Sequence, residues 1–220
     1  MVITYYGLSC HKIQFGNAII AFNPISKQSL YKSSSFGADI GLISSLQPDY
    51  NGREQIAYGS RDPFVIDGPG EYEINGIYVR GMGVSQAGLN DSKKETETNI
   101  VNTVYSVLFE GINLCHLGAL RGSSLSPEVT EALGEIDVLF VPIHGPSVMS
   151  PAEGAKVATL LAPKLIIPMY VGVHGAEKNL LSQFLKESGG ESSEPVDKLT
   201  LKKKDLEGKE GDAIVITPVG

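Results

Sequence analysis

The sequence predicts a layered α/β (α+β) fold, on three observations. The first half is a series of short β-branched and aromatic runs punctuated by Gly, Asn and Pro. The second half alternates buried strand-like runs with capped helices. The chain has 220 residues, 42% hydrophobic and 20% charged, which suits a globular protein able to bury one sizeable core and is read as a single domain over 1–220.

Val2-Ile3-Thr4-Tyr5-Tyr6, Cys10-His11-Lys12-Ile13-Gln14-Phe15 and Ala18-Ile19-Ile20-Ala21-Phe22 are strand-like and separated by short Gly- and Asn-containing turns, so they read as consecutive antiparallel strands. Residues 26–36 form a Ser- and Lys-rich loop before Ile40-Gly41-Leu42-Ile43, a run suited to a buried central strand. From Ser44 to Arg53 the chain turns polar. Pro63-Phe64-Val65-Ile66 is the next strand, and Asn75-Gly76 between alternating apolar positions marks a hairpin. Residues 87–98 read as an exposed loop, and strands resume at 101–110 and 112–117.

Ser126-Pro127-Glu128-Val129 and Ser150-Pro151-Ala152-Glu153 each place a capping serine before a proline and an acid, the start of a helix. Asp137 to Pro142 and Leu165 to Pro168 are the strands that alternate with these helices, a third helix is expected over 177–187, and 199–201 with 213–217 read as a terminal hairpin.

The net charge of −7 argues against nucleic acid as a partner, since Lys202, Lys203 and Lys204 are offset by Asp197, Asp205 and Glu207. Cys10 and Cys115 follow no paired spacing, which argues against a disulfide framework or a thiolate metal site. The opening run lacks a charged, then apolar, leader pattern and no apolar stretch nears 18 residues, so the expectation is a cytoplasmic protein with no membrane partner.

Five segments in order carry a resemblance: Ile3 to Cys10, Phe64 to Tyr72 (Phe-Val-Ile-Asp-Gly-Pro-Gly-Glu-Tyr), Leu114 to Gly118, Gly134 to Leu139 and Ile166 to Met169. Together they resemble the metallo-β-lactamase superfamily, in particular a small prokaryotic branch of zinc-dependent hydrolases related to ascorbate-6-phosphate lactonases. The resemblance implies a four-layer αββα sandwich, the metallo-β-lactamase fold. It also implies a metal site of clustered histidines and a bridging aspartate, which would lower the pKa of bound water to make hydroxide.

Mapped onto that pattern, the His-x-His-x-Asp-His positions fall on Ser45, Gln47, Asp49 and Tyr50; a further histidine falls near Gln86, the bridging aspartate on Ala119 and the last histidine on Tyr170. Supporting positions usually held by His and Asp are Leu8 and Asn23. Only Asp49 keeps a ligand type. Neutral Ser and Gln oxygens, an alanine and protonated phenols do not hold zinc, so the expectation is a former metal-site pocket with no catalytic residue, no metal and no cofactor.

Tyr50 and Tyr170 should lie on one side of the cleft, with hydroxyls directed at Asp49, Gln47 or water. His144 and His174 sit in loops near the pocket mouth and, with Asp49, are the residues of a rearranged site if one exists. His11 is expected far from the pocket, and His116 is expected to be a satisfied structural histidine facing away from Ala119. Ser44, Ser45 or Cys115 with His144 as base lacks a nucleophile-elbow motif. Residues 118–124 read as a plain loop ahead of a phosphate-binding one. The reading is therefore a degenerate, non-catalytic protein whose cleft takes an unknown small molecule or protein. The alternatives are a lactone- or phosphodiester-type metal-dependent hydrolase with a rearranged site, or a structural subunit of a homo-oligomer.

Overall fold

The computed structural model describes residues 1–85, 101–145, 148–172, 178–189 and 194–219. In chain order the elements are β1 (Val2–Gly7), β2 (Cys10–Phe15), β3 (Ala18–Phe22), β4 (Ile40–Leu42), α1 (Arg53–Ile56), β5 (Phe64–Ile66), β6 (Gly70–Ile74), β7 (Ile77–Ser85), β8 (Val101–Phe109), β9 (Ile112–His116), α2 (Pro127–Leu133), β10 (Val138–Pro142), α3 (Pro151–Leu161), β11 (Leu165–Met169), α4 (Lys178–Ser188), β12 (Leu199–Thr200) and β13 (Asp212–Ala213), with a 3-10 turn at Lys203–Leu206 before β13. They build two mixed sheets, ordered β12-β1-β2-β3-β4-β5 and β13-β11-β10-β9-β8-β7-β6.

Strand register decides which side chains fill the space between the sheets. Tyr5, His11 and Phe22 are successive partners across β1, β2 and β3, so they point the same way. They meet the second sheet there: Phe22 stacks on His116 at 4.7 Å, and His11 lies 4.7 Å from Phe140. Ile3, Ile13, Ile20, Ile40, Val107, Val138 and Leu165 extend this layer, each buried side chain contributing roughly 1.5–3 kcal/mol.

The alternate residues face outward. On the second sheet, Cys115, Leu139 and Val141 pack with Leu133 of α2, Val157 of α3 and Phe184 of α4. On the first, Gly41 sits so close to Ile56 of α1 that a Cβ would lie 2.5 Å from the isoleucine side chain. The order of layers is therefore helices, sheet, sheet, and a thin cover of α1 and loop.

The local signals work as expected where the chemistry is local. Ser126 Oγ accepts from the Val129 N–H, and Ser150 with Glu153 forms a reciprocal capping box. Asn75 (φ 52°) and Gly76 (φ 79°) both occupy the left-handed region, as a two-residue hairpin of this twist requires.

The helix expected over 177–187 is present as Lys178–Ser188. Three expectations change. The C-terminal segments do not form a hairpin: β12 pairs antiparallel with β1, whereas β13 pairs parallel with β11 in the other sheet. The polar stretch after Ser44 ends in the single turn α1, too short to leave a helical period. His11 is not remote from the pocket end, since its ring stacks on Tyr5 at 4.8 Å and meets His116 edge-on at 5.7 Å. The loop expected over 87–98 lies outside the described residues.

At the end opposite the cleft, Asp137 precedes β10 and is buried. Its carboxylate accepts from Lys164 Nζ (2.9 Å), Lys203 Nζ (2.6 Å) and the Asn113 N–H (2.8 Å). Burial raises this carboxyl's pKa, but those partners, Lys203 first, outweigh burial and hold it below the usual range.

Candidate functional site

β9, β10 and β11 are mutually parallel, as are β3, β4 and β5, so the loops leaving them emerge together at one end of each sheet. In folds of this kind ligands bind at the carboxyl ends of parallel strands. Ser44 and Ser45 follow β4, Ala119 follows β9, His144 follows β10 and Tyr170 follows β11. Asn23 leaves β3, and Leu8 turns the chain from β1 into β2 at the same end.

Tyr50 and Tyr170 meet here. Their hydroxyls are 2.5 Å apart, and the two residues are only 3% and 5% exposed. The phenols share one side of the cleft, but they bond to each other and not to Asp49 or Gln47. A phenol is both donor and acceptor, so a buried pair satisfies itself where either alone would need water. Burial, opposed by the hydrogen bond from Tyr170, pushes Tyr50 up to about 12. Burial, then the neighbouring Tyr50, raises Tyr170 well above the ordinary phenol value. Neither is an anionic donor near neutral pH.

Tyr170 is anchored through its backbone in the left-handed region (φ 67°). Its N–H is shared between the Leu8 carbonyl (2.9 Å) and the Tyr5 hydroxyl (3.0 Å), and the Tyr5 O–H donates to the same Leu8 carbonyl (2.9 Å). Leu8 (φ 51°) and Asn23 (φ 44°) are also left-handed, a conformation that costs a non-glycine residue roughly 1 kcal/mol or more. Asn23 Nδ2 donates to Ser9 Oγ at 3.0 Å, and its Oδ1 accepts from the Ser44 N–H at 2.8 Å.

The remaining predicted residues separate. Asp49 is half-buried and turned aside: its carboxylate accepts from the Ser29 hydroxyl at 2.6 Å, on the Ser-rich loop. Gln47 is exposed, and its carbonyl accepts from the Tyr50 N–H. Ser45 and Ala119 are buried, and the Ala119 N–H donates to Asn102 Oδ1 at 2.7 Å. His144 is half-buried beside the pair; the next residue, Gly145, sits so close to the Tyr170 ring that a Cβ would be 3.2 Å from it. Gln86 and His174 lie outside the described residues.

Beneath the tyrosines lies a neutral histidine pair. His116 Nδ1 accepts from the Gly118 N–H (3.1 Å), so Nε2 carries the proton and donates to the Ser9 carbonyl (3.0 Å). His116 is thus satisfied, but it points between the sheets into the layer that also holds Ala119, not away from it. Burial lowers His116 to about 3 and, with the nearby His116, lowers His11 well below the ordinary imidazole value. His11 Nδ1 lies 3.3 Å from the same Ser9 carbonyl, and its Nε2 is buried without a partner among the described residues, as is Ser44 Oγ. Cys115 faces the outer helices and burial raises its pKa, so it is no nucleophile for His144.

These side chains do not fit a transition metal. Among the described residues no three His, Cys, Asp or Glu converge; Asp49 already holds a hydroxyl, and Asp67, leaving β5 at the same end, is paired with Arg53. Tyr5, Ser9, Ser29 and Asn102 carry no local motif, because each joins the site through long-range hydrogen bonds.

The model of the beta-lactamase superfamily domain matches residues 2–170. The chain belongs to the beta-lactamase superfamily. A UPF0173 protein of Pyrococcus abyssi is 32% identical over 185 residues, covering 80% of this chain and 85% of that protein. A match to a UPF0173 protein of Pyrococcus furiosus is 38% identical but spans only 30% of this chain and 31% of the relative. A relative from Thermococcus onnurineus, 29% identical over 63% of this chain and 69% of its own length, is named a UPF0173 metal-dependent hydrolase. Among solved structures, a Thermotoga maritima protein assigned as a Zn-dependent hydrolase of the metallo-β-lactamase superfamily is 28% identical, with TM-score 0.74 over 98% of this chain and 99% of that one. This superfamily member therefore has a hydrolase-like fold.

Proposed function

We propose that the chain is a non-catalytic member of the superfamily, with the metal ligands lost and the former cleft closed by the Tyr50–Tyr170 pair. The buried hydroxyl–hydroxyl contact at 2.5 Å carries the reading. Two phenols occupy positions where the family pattern brings metal ligands together, and they satisfy each other without a cation. The left-handed Leu8, Asn23 and Tyr170 favour a retained role for this end, as strained backbone is commonly kept at functional sites. Ligand or partner binding is the role left to this end of the fold.

The second reading is a lactone- or phosphodiester-type metal-dependent hydrolase with a rearranged site using Asp49, His144 and His174. The names of the relatives favour it. A bis(p-nitrophenyl) phosphate and γ-lactone assay, with and without added Zn²⁺ or Mn²⁺, separates the two. The proposal expects turnover indistinguishable from that of an Asp49→Ala/His144→Ala variant purified in parallel; turnover that this variant abolishes establishes the second reading.

A further inference from the structure

A second hollow, apart from the tyrosine pair, lies on the outer side of the first sheet between the Ser-rich loop and α1. It is an open hollow of about 500 Å³ walled by Ser26, Lys27, Tyr31, Lys32, the serines at 33–35, and Gln55. Among the described residues, no carboxylate is on this wall. That is notable in a chain of net charge −7, whose long-range field alone would repel anions.

The loop is held open by its own hydrogen bonds, which use some donors and leave others unspent. Lys32 Nζ donates to the carbonyls of Lys27 (3.1 Å) and Ser29 (2.7 Å), which fixes an ammonium at the rim with one N–H remaining. Ser33 donates to the Tyr6 carbonyl and Ser35 to Gln55 Oε1. Gln55 is 7% exposed and spends one amide N–H on the Ser33 carbonyl at 3.3 Å, leaving the other. The Lys27 ammonium and the Ser34 hydroxyl make no hydrogen bond among the described residues. Glu54 of α1, outside the wall, has one carboxylate oxygen engaged by the Ser26 hydroxyl (3.0 Å) and the Lys27 N–H (2.8 Å), and the Lys27 ammonium attracts it at longer range.

We propose that this hollow is an oxyanion site that takes a phosphate group, free or as part of a small phosphorylated molecule. The unspent groups of Lys27, Lys32, Ser34 and Gln55 are all donors, two of them cationic, and phosphate oxygens are acceptors only. The volume exceeds that of one phosphate and leaves room for an organic body. The site does not depend on the cleft being inactive, and it stands or falls separately from the reading above.

The test is titration of the intact protein with inorganic phosphate at constant ionic strength, followed by calorimetry and amide chemical shifts. Chloride is the matched control, and glucose 6-phosphate tests the esterified source. Saturable 1:1 binding of phosphate is expected, with shifts centred on residues 26–35 and 55. Affinity should fall about 10-fold in Lys27→Gln, the loss of one charge-assisted contact, and less in Ser34→Ala. These two side chains hold no hydrogen bond in the loop, so both variants should keep the parent's melting temperature. Tighter binding of glucose 6-phosphate than of phosphate assigns the remaining volume to an ester body. Absence of saturation, equal response to chloride, or unchanged affinity in a folded Lys27→Gln variant overturns the proposal.

Discussion

β11 begins next to Lys164 and ends next to Tyr170, and the two ends of this strand are held by opposite chemistry. At its start Lys164 and Lys203 converge on the buried carboxylate of Asp137. At its finish Tyr170, Tyr50, Tyr5 and two neutral imidazoles are tied by hydrogen bonds between uncharged groups. A metal-binding end would concentrate carboxylates and imidazoles around a cation. Here the buried charge sits at the end away from the cleft, while the buried groups under the cleft are neutral and the cleft's charges, Asp49 among them, lie at its edge. The two ends should therefore respond differently to acid, to truncation and to metal.

Acid produces the largest contrast. His11 and His116 have folded pKa values below the unfolded value of about 6.5, so the unfolded state binds more protons as pH falls. Their contribution is complete above about pH 6.5 and declines below it, until His116 itself protonates at about 3. Between pH 7 and 5 this amounts to about 2 kcal/mol per imidazole, roughly 4 kcal/mol for the pair. Asp137, with a lowered pKa, loses its contribution only in the carboxylate range, nearer pH 4 and below. Urea unfolding at pH 7, 6 and 5 checks this. A flat profile over that range, or one unchanged by His11→Phe, would show that the pair is not buried neutral.

Truncating Asp137 is next in size. Asp137→Ala removes three hydrogen bonds at once and should cost about 2–3 kcal/mol, well short of stranding a buried charge, because the lysines are half-exposed and can return to water. Lys203→Ala should cost less, since Lys164 still holds the carboxylate. A smaller loss for Asp137→Ala than for Lys203→Ala in denaturant titration would remove Asp137 as the centre of that network.

The tyrosine pair should give the smallest stability change but the clearest coupling. Tyr170→Phe leaves the Tyr50 hydroxyl buried without its partner and should cost about 1–2 kcal/mol. Adding Tyr50→Phe should cost little more, because the double variant leaves no stranded hydroxyl. A double-mutant cycle showing simple additivity would mean the two phenols do not depend on each other.

Much of this frame was legible in the sequence. Asn75-Gly76, Ser126-Pro127 and Ser150-Pro151 mark their turn and helices because the governing hydrogen bonds close within a few residues. The meeting of Tyr50 and Tyr170 followed from the resemblance, as no local pattern links residues 120 apart. The destination of the C-terminal strands was not legible. Val2 pairs with Thr200, and a two-residue strand has no alternation to reveal its sheet. Nor was the direction of the hydroxyls, which turned on Asp49 being engaged by Ser29, a serine in a loop of ordinary composition. His11 is far along the chain from the pocket segments, but the register Tyr5–His11–Phe22 carries it under the cleft.

Metal content tests the central claim most directly. The protein, purified without chelator or affinity metal and measured by inductively coupled plasma mass spectrometry, should carry zinc, iron and manganese far below one equivalent, unchanged after dialysis against micromolar Zn²⁺. One or two tightly held equivalents, lost in Asp49→Ala or His144→Ala, would contradict the account and place a working metal centre where the tyrosine pair is now read as a plug.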